Sequence, residues 1–389
     1  MARITKPFYQ NVKCSLNLVF FELIFRYYIS FIYETVFVAK SFTRLFLTAY
    51  LPMKNINIRE LASELNLSVS TISKALNDSY EISDETKQRV LATAARLNYI
   101  PNPYASSLRG RRSKNIALVI PEVADSFFSL AINGIESVAK EKGYHVLICL
   151  THESFENEKT ILKEFQGGRV DGVLMSVSRE TSQTDHISDL ISNGLPLIFF
   201  DRVCENVSTA QITTDDFDSG YKATLHLINQ GCIDIAFLAI SESLSISNKR
   251  LEGYKKALSD QGRLIDDTRI LVCSNDTNEN YQLTKKLLQS KKRPDGIVAS
   301  VEKLTAPVYQ VCSELKLNIP KDVKVICFSN LETAPILNPS LTTITQPAFE
   351  MGRAAATLLF RSLGKTNFTV SNEKIVIPSV LIPRDSTKS

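Results

Sequence analysis

The fold of the first domain is decided by residues 67–77, which are Leu67-Ser68-Val69-Ser70-Thr71-Ile72-Ser73-Lys74-Ala75-Leu76-Asn77. Ser68 is a good helix N-cap because its hydroxyl can accept a hydrogen bond from a backbone N–H group of the first turn. Val69, Ile72 and Leu76 recur at helical spacing and form one apolar face. The stretch therefore predicts a short amphipathic helix.

Two more short helices are predicted beside it. Asn57 is the N-cap of a helix over residues 58–65, and Glu60 completes a pair of reciprocal capping bonds at its start. A third helix starts after Ser83, and its apolar face is formed by Val90, Leu91, Ala94 and Leu97. We expect the three helices to share one core.

The first two of these helices and the short turn between them form a helix-turn-helix pattern. In this arrangement the second helix lies in the major groove of DNA, and its exposed side chains here are Ser70, Thr71, Ser73 and Lys74. Hydroxyl and ammonium groups can bond phosphates and base edges, and Val69 can contact a thymine methyl. A solvated helix face would carry the same residues, so the pattern alone leaves both interpretations open.

The segment after the third helix is rich in arginine: Tyr99-Ile100-Pro101-Asn102-Pro103-Tyr104-Ala105-Ser106-Ser107-Leu108-Arg109-Gly110-Arg111-Arg112-Ser113-Lys114. Residues 56–114 resemble the DNA-binding and hinge region of the lactose-repressor family; residues 67–77 match its recognition helix and residues 99–102 its joint between helices and hinge. The resemblance implies a hinge that becomes helical on operator DNA, where Leu108 of each subunit enters the minor groove. Such an apolar wedge unstacks a base step and bends the DNA.

The resemblance also implies which residues contact DNA. Arg109, Arg111, Arg112 and Lys114 would neutralise phosphates, although the net charge of +4 for the whole chain is too small to indicate nucleic-acid binding by itself. Lys74 stands where many members carry arginine, so bidentate recognition of guanine is not expected there and the operator sequence stays open. The expected DNA-binding residues are Ser68, Val69, Ser70, Thr71, Ser73, Lys74, Asn77, Tyr99, Asn102, Ser107, Leu108, Arg109 and Arg111.

Beyond Lys114 the pattern changes to apolar runs that alternate with amphipathic helical stretches such as 127–141 and 250–260. This alternation is typical of βαβ units, which form parallel sheets covered on both faces. We expect an α/β domain of two doubly wound lobes with a ligand crevice at the strand ends. The predicted strands are 116–120, 145–149, 172–175, 197–200, 235–239, 270–273, 296–299 and 323–328.

The second domain resembles the effector-binding and dimerisation region of the same family, which is similar in fold to periplasmic sugar-binding proteins. The expected division of the chain is a helix-turn-helix domain at 53–102, a hinge at 103–114 and an effector domain at 115–386. Within the last, we place lobe one at about 115–214 and 346–366, and lobe two at about 215–342 and 367–386.

The resemblance implies an effector pocket at the strand ends. Arg250 matches the family's effector-contacting arginine, a natural fork for hydroxyls or carboxylates; a surface ion pair is the alternative. Ser300-Val301 and Ser329-Asn330 replace the usual carboxylates that clasp sugar hydroxyls, which weakens the expectation of a simple sugar, although Glu302 and Asp201 are candidates to compensate. The expected effector-binding residues are Asp125, Ser126, Phe127, Phe128, Ser176, Asp201, Arg202, Arg250, Ser300, Glu302 and Ser329.

Composition limits the other classes of protein. Apolar residues make up 44% and charged residues 22% of the chain, as in globular proteins. The seven cysteines are scattered, with neither disulfide nor zinc spacing, which indicates reduced thiols in the cytoplasm. The four histidines are isolated, and no nucleophile, metal or phosphate-loop motif occurs. We therefore expect no enzyme, no cofactor and no metal site.

The first 52 residues differ in character from the rest of the chain. Residues 16–39 are apolar, but Glu22, Arg26 and Glu34 interrupt them and argue against both a spanning helix and a signal peptide. We favour an upstream extension from a misplaced start before Met53, with an interfacial amphipathic anchor as the alternative.

Together these features predict a cytoplasmic, homodimeric transcription regulator, expected to be a repressor. It would bind a roughly palindromic operator, with no membrane partner, under the control of a small effector such as a sugar or sugar derivative. A membrane-tethered or exported binding protein is the alternative, against which residues 56–114 count heavily. Repression or activation, and induction or co-repression, stay open.

Overall fold

A computed structural model describes residues 56–99, 112–364 and 372–388. The chain divides into two compact units, Met1–Asn102 and Pro103–Ser389. The extension at 1–52 and most of the predicted hinge, including Leu108, lie outside the described residues.

The described part of the first unit contains three helices, α1 (Ile58–Leu65), α2 (Val69–Leu76) and α3 (Asp84–Arg96). Their starts are fixed by local bonds, as the sequence predicts. Asn57 Oδ1 accepts from the backbone N–H groups of Arg59 at 2.9 Å and Glu60 at 3.1 Å, and the Glu60 carboxylate accepts from Asn57 N at 2.9 Å. Ser68 and Ser83 cap α2 and α3 in the same manner.

The three helices enclose one core. Leu61, Ile72 and Val90 are fully buried, one from each helix. Burying each of these side chains stabilises the unit by about 1.5–3 kcal/mol relative to exposure. The prediction that Leu91 belongs to the core face was wrong, because Leu91 is 47% exposed. It follows Val90 directly, and consecutive helical residues point about 100° apart.

The second unit contains two six-stranded sheets, each defining one lobe. The sheet of lobe one has the order β11-β5-β4-β3-β1-β2 and all its strand pairs are parallel. Its strands are β1 (Asn115–Ile120), β2 (His145–Leu150), β3 (Val173–Met175), β4 (Leu197–Phe200), β5 (Gln211–Thr214) and β11 (Lys374–Ile377).

The sheet of lobe two has the order β12-β10-β9-β8-β6-β7. All its pairs are parallel except β10 with β12. Its strands are β6 (Ile235–Ala239), β7 (Ile270–Val272), β8 (Gly296–Ala299), β9 (Lys324–Phe328), β10 (Thr342–Thr345) and β12 (Val380–Ile382). The two doubly wound lobes that the alternating pattern predicts are thus present.

Helices cover these sheets. In lobe one they are α4 (Ser126–Glu141), α5 (Phe155–Phe165), α6 (Asp185–Ser192) and α11 (Ala348–Leu363). In lobe two they are α7 (Asp216–Asn229), α8 (Ser245–Asp260), α9 (Thr277–Gln289) and α10 (Thr305–Glu314). The α8 helix starts five residues before Arg250, so Arg250 lies inside the helix and not at its first turn.

The C-terminal part of the lobe division was predicted wrongly. Residues 367–386 are expected in lobe two, but β11 pairs in parallel with β5 of lobe one, while β12 pairs with β10 of lobe two. The chain therefore passes between the lobes after β5, after β10 and after β11. All three connections are short and follow the carboxyl ends of strands, so they keep this end of one sheet close to the same end of the other.

No helix in the described part of the chain has the length and apolar character needed to cross a membrane.

Candidate functional site

The first candidate site is the exposed side of α2. Ser70 is exposed, whereas Thr71, Ser73 and Lys74 are partly exposed. The Lys74 ammonium contacts the Glu81 carboxylate in the turn that precedes α3. The helix thus presents two serines, a threonine and an ion-paired lysine to solvent.

Several predicted DNA-binding side chains also stabilise this unit. Ser68 Oγ accepts from Thr71 N at 3.0 Å as the N-cap of α2, and Asn77 Nδ2 donates to Ser73 O at 2.6 Å at its end. Tyr99 is half-buried against the three-helix core, and burial raises the pKa of its hydroxyl. These residues order the recognition surface whether or not they touch DNA.

Two residues at the C-terminal end of the predicted hinge contact lobe one. Arg112 donates to the carbonyl oxygen of Leu363, and the Lys114 ammonium lies 4.6 Å from the centre of the Tyr144 ring. Asn102, Ser107, Leu108, Arg109 and Arg111 lie outside the described residues.

The second candidate site is a narrow cleft between the lobes of the second unit, with a cavity volume of about 20 Å³. Seven of the eleven predicted effector-binding residues line it: Asp125, Phe127, Phe128, Asp201, Arg202, Arg250 and Glu302. The cleft lies where β4, β8 and β9 end, as expected for an open α/β sheet.

Lobe one contributes an aromatic floor and a buried arginine. Phe127 and Phe128 stand edge to face with ring centres 5.4 Å apart, and the Arg202 guanidinium lies 5.7 Å from the Phe128 ring. Arg202 Nη1 donates to both carboxylate oxygens of Glu153 at 2.9 Å. Burial alone would raise the pKa of Glu153, but the Arg202 charge and the hydrogen bonds from Arg202 and from Arg179 N together outweigh it and hold that pKa below its ordinary value.

Lobe two contributes Arg250, whose side chain is 2% exposed. Its Nε donates to Asp216 Oδ1 at 2.7 Å and its Nη1 to the carbonyl oxygen of Ser300 at 2.6 Å. The guanidinium lies 4.2 Å from the centre of the Phe328 ring. Nη2 has no hydrogen-bond partner among the described residues, which leaves one donor for a ligand.

Two aspartates in the cleft are costly to ionise. Burial raises the pKa of Asp201 to about 6 against the opposing charges of Arg202 and Arg250. Burial, together with the nearby Glu302, raises the pKa of Asp125 to about 6. Asp125 also caps α4 by accepting from Phe127 N at 2.9 Å.

Glu302 connects the lobes at the mouth of the cleft. From lobe one it accepts hydrogen bonds from Ser126 N at 3.3 Å and from the Ser126 hydroxyl. From lobe two it accepts from Ser329 Oγ at 2.6 Å and from Asn330 N at 3.1 Å. The carboxylate therefore holds both lobes through four donors.

Four predicted residues do not line the cleft. Ser126 and Ser329 are held by Glu302, and Ser300 presents its carbonyl group to Arg250. Ser176 lies behind Asp201, to which its hydroxyl donates at 3.4 Å. Each follows a strand or starts a helix as predicted. The side chains of Ser126, Ser176 and Ser329 bond to a lining residue instead, whereas Ser300 does so through its backbone.

Sequence reasoning missed four lining residues, which are Ile246, Val301, Phe328 and Gln346. Phe328 and Val301 are next to predicted positions at strand ends, so the same rule could have found them. Gln346 follows β10, a strand that was not predicted. Ile246 lies in the first turn of α8, which the predicted helix start excluded.

A wider cavity of about 370 Å³ adjoins the cleft and shares Asp125 and Glu302 with it. Its other polar lining residues are Glu122, His152, Glu153, Asn275, Thr277 and Lys303. Glu302 thus stands between the inner cleft and the wider opening.

The chain matches two family models. Residues 57–102 match the bacterial regulatory proteins of the lacI family, and residues 224–387 match a periplasmic binding protein-like domain. The first segment corresponds to the three-helix unit, and the second to most of lobe two together with α11 and β11 of lobe one.

Curated relatives match along nearly their whole length. The chain is 30% identical over 338 residues to the ribose operon repressor of Halalkalibacterium halodurans, covering 85% of this chain and 97% of the relative. It is 29% identical to the HTH-type transcriptional regulator RegA of Clostridium saccharobutylicum, covering 85% and 99%. It is 26% identical to the catabolite control protein A of Priestia megaterium, covering 86% and 100%.

Solved structures share the fold. A LacI family transcriptional regulator from Enterococcus faecium with bound ribose has a TM-score of 0.62 at 27% identity, covering 70% of this chain and 98% of that one. The lac repressor dimer bound to operator and the anti-inducer ONPF has a TM-score of 0.74 at 23% identity, covering 86% and 100%.

Proposed function

The chain belongs to the lacI family of bacterial regulatory proteins, and from this premise we propose that it is a cytoplasmic repressor whose effector is a neutral, hydroxyl-rich small molecule. Its class, a DNA-binding transcription regulator, follows from the family. The effector, the direction of regulation and the roles of individual residues are the proposal.

The DNA-binding part of the proposal rests on α2. A helix that presents Ser70, Thr71, Ser73 and Lys74 on one side can hydrogen-bond phosphates and base edges when it lies in a major groove. Two copies in a homodimer would contact two half-sites of a roughly palindromic operator. Leu108 would enter the minor groove between them, and Arg109 and Arg111 would contact phosphates.

The effector part rests on one observation: the cleft offers unused donors and acceptors side by side. Arg202 Nε, Arg250 Nη2 and Gln346 Nε2 are buried and have no hydrogen-bond partner among the described residues. Asp125 and Asp201 present acceptors to the same space. The cleft of about 20 Å³ is too small for a polyol as it stands, so the lobes must separate to admit one. A hydroxyl group both donates and accepts, so a polyol held between the lobes would satisfy both sets at once.

Charge argues against an anionic effector. Arg202 and Arg250 are already paired with Glu153 and Asp216, while Asp125, Asp201 and Glu302 all face the cleft. A carboxylate or phosphate ligand would meet these three carboxylates in a site of low polarity, where repulsion between like charges is strong. A neutral polyol avoids that repulsion, as does the ribose of the structurally similar E. faecium regulator.

Control of DNA binding would follow from closure of the cleft. A ligand that bonds to both lobes favours the arrangement in which the lobes are closed over the one in which they are open. The change in DNA affinity is then limited by how much more tightly the ligand binds the closed arrangement than the open one. In the described residues no nucleophile with an adjacent base faces the cleft, and binding without turnover is the simplest use of such a site.

The proposal is tested by a ligand screen on the full chain. D-ribose and a panel of other neutral sugars and polyols are compared with matched sugar phosphates and organic acids, and thermal unfolding is measured for each. We expect stabilisation by a member of the neutral panel, reduced in Gln346→Ala but not in the exposed control Gln289→Ala. Stabilisation by anions alone would contradict the proposed effector class.

A further inference from the structure

An acidic side chain lies beside the DNA-reading helix. Glu81, in the turn between α2 and α3, contacts the Lys74 ammonium, and the two side chains are 46% and 43% exposed. The neighbouring Tyr80 is 94% exposed, so nothing in the described part of this unit covers the turn. The lysine and the carboxylate therefore reach solvent at the same place.

A carboxylate in this position opposes general attraction to DNA. Binding to the phosphate backbone gains from each lysine or arginine that replaces condensed counterions. The pair of Lys74 and Glu81 has no net charge. Contact between Lys74 and a phosphate therefore adds little binding free energy unless the pair separates. An acidic group so close to the recognition helix weakens binding to all DNA unless it meets a hydrogen-bond donor there.

The major groove offers two such donors, the N6 amino group of adenine and the N4 amino group of cytosine, and the second is the usual partner of a carboxylate. The exocyclic N4 amino group of cytosine is recognised by aspartate and glutamate, whereas the O6 and N7 atoms of guanine accept from lysine. A lysine and a glutamate in contact can therefore bind one C·G pair, or two adjacent pairs, with the glutamate at the cytosine and the lysine at the guanine. At a guanine, a thymine or a phosphate the carboxylate faces acceptor oxygens and is repelled.

We propose that Glu81 is a specificity-determining residue that accepts from a cytosine amino group of the operator and suppresses binding elsewhere by neutralising Lys74. The inference rests on the proposed function only in placing α2 in the major groove. It adds one feature of the operator, which is a C·G pair in each half-site. It also gives a reason why binding to non-specific DNA should be weak.

The first test compares the DNA motifs that full-length wild type and Glu81→Gln select from a random pool. We expect the wild-type motif to contain a C·G pair at one symmetric position, and the variant to lose the preference there alone. On fixed sequences, the ratio of operator to random-DNA affinity should fall roughly five- to a hundredfold, as expected for loss of one good base contact.

The second test is the salt dependence of binding to random DNA. Freeing Lys74 adds one cation per subunit, so the slope of log affinity against log salt should steepen by about 0.9 per subunit. Glu81→Asp keeps the charge and should leave the slope unchanged. Glu64→Gln is the matched control. The Glu64 side chain is 49% exposed, and its carboxylate lies 2.8 Å from Nη2 of Arg96 in a pair between α1 and α3.

The outcomes separate this inference from the proposed function. If wild type selects no motif over random DNA, the DNA-binding role fails and the inference with it. If wild type selects a motif but Glu81→Gln keeps it, or steepens the slope no more than Glu64→Gln, Glu81 is only a surface residue. Circular dichroism confirms that each variant is folded before either result is taken.

Discussion

Arg250 Nε donates to Asp216 Oδ1 at 2.7 Å, and both side chains are almost fully buried in lobe two. The pair joins α8 to the start of α7, where the helices cross so closely that a Cβ on Gly220 would lie 2.2 Å from the Arg250 carbonyl oxygen. Arg250 is therefore a structural ion pair as well as a lining residue of the cleft.

Because of this pairing, Arg250→Ala should reduce the stability of the fold as well as ligand binding. Removing one partner leaves Asp216 buried without its counter-charge, which typically costs about 3–5 kcal/mol of folding free energy. We expect that loss in urea unfolding, together with a lost response to ligand. Lys256→Ala, which breaks the exposed pair with Asp260, should cost far less, because solvent screens that pair. Equal losses in the two variants would show that the buried pair contributes nothing.

Glu302→Gln should loosen the contact between the lobes. A glutamine has one acceptor oxygen in place of two and no charge, so it cannot satisfy the four donors from Ser126, Ser329 and Asn330. Hydrogen exchange of the Ser126 and Asn330 amides should become faster in the ligand-free variant. The Ile233 amide, which Asp295 accepts from at 2.8 Å within lobe two, is the control and should not change. Unchanged exchange at both lobe-bridging amides would rule out this role for Glu302.

Asp201→Asn should show how pH acts on the cleft. Because burial raises the folded-state pKa of Asp201 from 3.8 to about 6, its contribution to stability is greatest below pH 3.8 and is lost as pH rises through 6. Asparagine at position 201 does not titrate, so the stability of the variant relative to wild type should increase from pH 4.5 to pH 7.5 by up to about 2 kcal/mol in urea unfolding.

Asp260→Asn is the control of opposite sign. The hydrogen bond from Lys256 lowers the pKa of Asp260, so its contribution is present above pH 3.8 and is lost on acidification. Both pH 4.5 and pH 7.5 lie above 3.8, so its removal should cost about the same stability at the two pH values, and less only when the pH falls below 3.8. An Asp201→Asn curve parallel to wild type would mean that Asp201 ionises freely in the folded protein.

Leu108→Ala should weaken specific operator binding and leave salt-sensitive binding to random DNA nearly intact. The proposed wedge acts by bending the DNA, whereas phosphate contacts come from basic side chains. Fluorescence anisotropy on selected and scrambled duplexes measures both affinities. Equal losses on the two duplexes would show that Leu108 is not a wedge.

Local signals allowed much of the fold to be predicted. The caps Asn57, Ser68 and Ser83 act within one turn of their helices, and the apolar runs of β1, β4 and β8 bury both faces. By contrast, β5 and β10 contain Gln211 and Thr342 and lack a continuous apolar run. The pairing of β11 with β5 joins residues about 160 positions apart, which no local pattern specifies.

The candidate cleft was predictable to the level of strand ends but not of side-chain direction. Asp125, Asp201 and Arg202 follow or precede predicted elements and line the cleft as expected. Whether Ser329 or the adjacent Phe328 points inward depends on contacts with Glu302, which comes from another part of the chain. Such long-range hydrogen bonds determine which side chains line the cleft, and the local sequence pattern does not reveal them.

The most direct test of the central claim, that this chain is a sequence-specific DNA-binding regulator, is a genome-wide binding profile of the full-length protein on purified, fragmented DNA from its own source. The account predicts a limited set of enriched sites that share an inverted repeat and lie beside promoters, with enrichment changed by the polyol found in the ligand screen. Enrichment no greater than for random fragments, or sites without two-fold symmetry, would contradict it.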